Sequence, residues 1–82
     1  MRTFLVGDRR FRNRPISYYV LADELENVGE NYGLRVEYGG DVVNIHGITV
    51  SQPRILELLG LLIRGCVPPC AVRDVVEDWL LR

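Results

Sequence analysis

The side chains best equipped for chemistry are two thiols, Cys66 and Cys70, and the single histidine, His46. Together they make three soft or borderline donors, one short of a closed zinc site. The Cys-x3-Cys spacing is unusual for zinc, and Pro68-Pro69 stiffen the loop between the thiols. No metal site follows, and the expected state is two small, partly buried thiols with His46 at a surface or rim. A disulfide across so short a turn is sterically accessible, but an intracellular setting disfavours it. One histidine outside any nucleophile–base–orienter set is no triad, so the sequence assigns no catalytic residue and no cofactor.

Charge supplies the second kind of chemistry. Every basic residue is arginine, and residues 1–14 hold five of them against one aspartate, whereas residues 15–82 hold five arginines and ten acids. Arg9, Arg10, Arg12 and Arg14, with Phe11 among them, form the set a nucleic acid would need, with guanidinium forks for phosphates and one ring for a base. The acidity of the remaining chain opposes a long duplex, so a solvated hairpin tip is preferred and nucleic-acid binding is the alternative. The other charged set is Asp74, Glu77 and Asp78, on the polar side of the last helical pattern beside Leu81. Glu77 and Asp78 fall near a helix C-terminus, where the dipole disfavours acids by roughly 0.3–1 kcal/mol each. Pairing of Asp78 with Arg82 offsets part of that cost. Folding alone does not ask for acids there, so this face is the candidate contact for a protein partner with basic side chains.

These groups must be positioned by one small domain, because 82 residues leave no room for a second core. A chain of this size buries about 60–65% of its unfolded surface. The organising stretch is 51–64, where Ile55, Leu56, Leu58, Leu59, Leu62 and Ile63 form an apolar arc at helical spacing. Ser51 is placed to cap it, Pro53 suits its first turn and Gly65 its end. A second helix over 69–81 carries Ala71, Val72, Val75, Val76, Trp79 and Leu80 on one stripe. Before the helices, alternation predicts strands at 2–6, with Phe4 and Val6 on one face, and at 16–22. A charged connection spans 7–15, and 23–31 reads as a mobile acidic loop. Strands at 34–38 and 42–50 flank Gly39-Gly40, two residues suited to the positive φ angles of a type I′ turn. That turn pairs Tyr38 with Asp41, Val36 with Val43 and Leu34 with Ile45, and Gly47 marks a bulge. The expected fold is α+β, an antiparallel sheet of about four strands with two C-terminal helices on one face.

The stretch from Tyr18 to Leu80 resembles a family of short, mostly clostridial bacterial proteins known only as a domain of unknown function. The resemblance lies in Tyr18-Tyr19, Tyr32-Gly33-Leu34-Arg35-Val36, Ser51 and above all Val67-Pro68-Pro69 with Arg73-Asp74-Val75-Val76-Glu77-Asp78-Trp79-Leu80. Where that family carries a serine or threonine cap and a histidine at the start of the last helix, this chain has Pro68 and Ala71. The resemblance implies the strand–hairpin–two-helix order and no activity.

No apolar run reaches the ~18 residues of a membrane span, and the first residues are charged too early for a signal peptide, so a cytoplasmic location is expected. The function expected is a non-enzymatic protein-interaction or adaptor module with an unidentified protein partner. Self-association as a homodimer is expected through a surface centred on Leu61, which falls among Arg54, Glu57 and Arg64 on the leucine helix, or through a sheet edge.

Overall fold

The computed structural model describes residues 1–25 and 29–81. Four strands, β1 (Arg2–Phe11), β2 (Arg14–Leu25), β3 (Gly29–Tyr38) and β4 (Asp41–Thr49), are followed by α1 (Gln52–Arg64) and α2 (Pro69–Leu80). The strands form an antiparallel meander in the order β1-β2-β3-β4. Both helices pack on one side of it, which is the α+β arrangement the patterning implies.

The first hairpin is longer and tighter than its sequence suggests. Residues 7–15 are not a connection: β1 runs to Phe11, β2 starts at Arg14, and Phe11 pairs with Arg14. The turn is only Arg12-Asn13, both at positive φ (52° and 67°), the signature of a type I′ turn. Asparagine tolerates that conformation, whereas arginine there is uncommon and leaves no glycine to read. The plain alternation that set Phe4 and Val6 on one face is interrupted after Leu5. Val6 is an extra residue between the Leu5–Tyr19 and Gly7–Tyr18 pairs, so Phe4 and Gly7 both face the helices. Gly7 gives α1 a close seat, since a Cβ there would lie 3.0 Å from Ile63 Cδ1.

The acidic stretch 23–31 is also mostly strand. Asp23 pairs with Asn31, Glu24 with Glu30 and Leu25 with Gly29; the remaining residues of the expected loop, 26–28, lie outside the described residues. The third turn keeps the expected register, with Tyr38–Asp41, Val36–Val43 and Leu34–Ile45 paired. Only Gly39 has positive φ (59°), however, which is the φ pattern of type II′ and not I′. Beyond Ile45 the bulge foreseen at Gly47 is wide: Leu34 pairs with Ile45 and Tyr32 with Thr49, so Gly33 alone faces residues 46–48.

Helix α1 begins where Ser51 Oγ accepts from the Arg54 N–H (3.4 Å). It ends in a Schellman motif, with Cys66 N–H donating to Ile63 O (3.1 Å) and Val67 N–H to Leu62 O (3.0 Å). The left-handed position of this motif falls on Cys66 (φ 49°), while Gly65 keeps a right-handed φ of −82°. Helix α2 follows Pro68, which supplies no side-chain cap.

Ile55, Leu58, Leu59 and Leu62 of α1 and Val72, Val76 and Trp79 of α2 close over Ile16, Tyr18, Leu34 and Val36. All eleven are buried. Two flanking leucines of α1 depart from expectation. Leu61, about 60° from Leu58 at 100° per residue, is half-buried and packs against the core. Leu56, assigned to the apolar arc, is 43% exposed. Tyr18 enters the core whole, and its hydroxyl donates to Val67 O (3.0 Å) in the interhelical loop. Burial above all, and then the charge interaction with nearby Cys66, push the Tyr18 pKa up to about 12, with Arg9 opposing.

Candidate interaction surfaces

The two thiols and the histidine do not converge. Cys66 is half-buried and its Sγ–H lies 3.5 Å from Arg10 O, whereas Cys70, on the first turn of α2, is exposed and not partly buried as expected. Both are free. His46 lies on the sheet face away from the helices, where its Nδ1 is 3.3 Å from Asp23 Oδ2. Asp23 is on β2, two strands away, so the pair crosses β3, and it does so at Gly33. A Cβ on Gly33 would collide with Ile45 O and lie 2.8 Å from His46 Cα. Leu21 pairs with Gly33 and shares this face. It is fully buried although it lies outside the helix-side core. The His46–Asp23 pair had no sequence signal: 23 residues separate the two, and only the bulge brings them together.

The arginine run is spent largely on the fold. Arg9 donates to Ile63 O (2.9 Å), satisfying a carbonyl in the last turn of α1. Arg10 donates to Asn13 O (2.8 Å) across the turn. Phe11 meets Tyr38 edge-to-face, centroids 5.5 Å apart at 70°, and Tyr38 donates its hydroxyl proton to Phe11 O (3.1 Å). The guanidinium of Arg12 sits 5.3 Å from the Phe11 centroid. A base seeking that ring would therefore have to displace Arg12. Arg12 and Arg14 remain exposed at the tip.

On α2, Asp74, Glu77 and Asp78 are exposed. Leu81 is 86% exposed, and Leu80, expected on the buried stripe, is 53% exposed. Arg82 lies outside the described residues, as does its expected pairing with Asp78. Leu61, on α1, is half-covered by the core. Trp79, one residue before Leu80, is buried and carries the Arg54 guanidinium 4.6 Å from its ring centroid.

Sequence reasoning missed two grooves. One, of about 220 Å³, opens between the start of α1 and the far end of the sheet, with Phe4, Val20, Ala22, Tyr32 and Leu56 on its walls. An Arg2–Glu30 ion pair stands at the same groove. The other, of about 310 Å³, lies between Asp41-Val42-Val43 and the Pro69-Cys70 start of α2.

A four-stranded antiparallel meander with two helices on one face defines a small α+β domain with polar and charged surfaces around a single core. The chain belongs to a family of unknown function, DUF6514, whose model matches residues 4–82. No curated protein and no solved structure shows a significant match to it. Among the described residues, no helix is long and apolar enough to cross a membrane.

Proposed function

We propose that this protein is a non-enzymatic interaction or adaptor module, bacterial and cytoplasmic, that holds a protein partner through the exposed face of α2. The observation that carries the reading is the end of that helix. Leu80 and Leu81 are exposed beside the acidic side chains of Asp74, Glu77 and Asp78. Two acids near a helix C-terminus oppose the macrodipole, and two solvated leucines contribute nothing to the core. Both features cost little once a basic, partly apolar partner covers them. Apolar anchors rimmed by charge are also the usual anatomy of a contact surface. Nucleic-acid binding through Arg9, Arg10, Phe11, Arg12 and Arg14 is the weaker alternative, since two of those guanidiniums and the ring already have partners within the fold.

The test compares partners recovered from native cells by the wild-type protein and by an Asp74→Arg plus Glu77→Arg variant of equal melting temperature. A partner kept by the first and lost by the second supports the reading, the more so if Leu81→Glu also loses it. Identical partner sets for both proteins sink it.

A further inference from the structure

The strongest unexplained feature outside α2 is the free edge of β1. This ten-residue outer strand exposes Phe4 (48%), Leu5 (59%) and Val6, next to the apolar groove that Leu56 shares. Edges are normally covered, charged or shortened, because their unpaired N–H and C=O groups template another strand; the charges of β1 sit at Arg2 and at 8–10 and leave residues 3–7 uncharged. Val6 as a bulge interrupts this edge only locally.

We infer that the β1 edge takes the β4 edge of a second copy of this chain, extending the sheet from one molecule to the next. Direction agrees: the meander alternates, so β1 and β4 are antiparallel, and a neighbour in the same orientation keeps all helices on one face. Register agrees as well. Setting the second copy's Asp41 opposite Arg9 puts its Val43 opposite Gly7 and, past the bulge, its Ile45 opposite Phe4.

These six residues all lie on the helix side. Arg9, Gly7 and Phe4 pair with Ile16, Tyr18 and Val20, while Asp41, Val43 and Ile45 pair with Tyr38, Val36 and Leu34. The register thus sets Ile45 against Phe4, Val43 over the open side of Gly7, and the Asp41 carboxylate beside the N–H groups of Arg9 that its bond to Ile63 O leaves over. Charge also selects against the alternative in which β1 pairs with itself. That strand carries Arg2, Arg9 and Arg10 against the single acid Asp8, whereas β4 opens on Asp41 and has no arginine. At this end of β4, Asp41 and Val42 are exposed.

The interface is heterologous, so it joins copies head to tail and does not stop at two. It uses neither Leu81 nor the acids of α2, and so stands or falls apart from the partner reading.

The experiment is sedimentation velocity from micromolar to millimolar protein at low salt, with two variants at exposed positions. Leu5→Lys blocks β1 and Asp41→Arg blocks β4; unchanged melting temperatures show that both fold, and Phe4→Glu and Asn44→Lys replace them otherwise. Wild type should grow past the dimer with concentration and shrink back with added salt. Each variant alone should associate at least about tenfold more weakly. An equimolar mixture of the two should form a one-to-one complex, because each keeps the edge the other has lost. A wild type that stays monomeric overturns the inference. So does a β4-blocked variant that still dimerises, which would mean twofold pairing of β1, and so does a mixture that remains monomeric.

Discussion

At position 66 glycine should be more stable than alanine, although both delete the same half-buried side chain. Cys66 occupies the left-handed position of the Schellman motif at φ 49°, where a Cβ crowds the backbone. That conformation costs an L-residue about 1–2 kcal/mol and glycine almost nothing. Glycine also gives the unfolded chain more freedom, a loss of roughly 0.5–1 kcal/mol relative to alanine. The difference leaves Cys66→Gly about 0.5–1 kcal/mol more stable than Cys66→Ala, reversing the usual order of the two residues. Both variants lose the same long contact from Sγ to Arg10 O, 3.5 Å, so comparing them cancels it. Urea unfolding at constant m value measures the gap, and a thermal melt should show it as roughly 2–8 °C. Alanine more stable than glycine at position 66 would refute the assignment of strain to this turn.

Tyr18 makes stability depend on alkaline pH. Its folded pKa is raised from 10.0 to about 12, so its contribution is fully present below pH 10 and is lost as pH rises from 10 through 12. At ~1.4 kcal/mol per pKa unit the loss is roughly 2–3 kcal/mol, and unfolding curves between pH 9 and 12 should show it. Tyr18→Phe should be less stable at neutral pH, having lost the donor to Val67 O, yet should lack this decline; an equally steep curve would place the titration elsewhere. Gly33→Ala should cost more than 2 kcal/mol, because its methyl group has backbone and not a flexible side chain in its way. It should also separate His46 from Asp23, visible as a shifted imidazole resonance. A neutral Gly33→Ala would show that the backbone at Ile45 and His46 does not approach this residue so closely.

Periodicity and turn chemistry made much of this architecture readable from the chain alone. The hairpin at Gly39-Gly40 follows from a two-residue turn between alternating runs, and its pairings hold because a one-residue slip would turn Val36 and Leu34 away from the helices. Both helices follow from 3.6-residue spacing, and the α1 boundaries from Ser51, Pro53 and Gly65. The acids and Leu81 of α2 were likewise legible, because the polar side of an amphipathic helix is set by the same spacing that sets its buried side.

What the chain alone did not decide lies where distant backbone overrides local preference. The Arg12-Asn13 turn has no glycine, and it forms because the strands on either side pair along their length. Asp23, Glu24, Gly29, Glu30 and Asn31 are poor strand formers held across the ladder. Leu61 and Leu56 flank the same buried arc of α1, and only the packing around the helix half-covers one and leaves the other at a groove. The use of Arg9 to satisfy α1, the left-handed Cys66 and the reach of His46 over Gly33 to Asp23 each join residues far apart in sequence or set a backbone angle that a side chain's type does not dictate. Local sequence specifies spacing and turn propensity; which strand edge lies free, and which charge is already spent, is settled only when the sheet and helices close on one another.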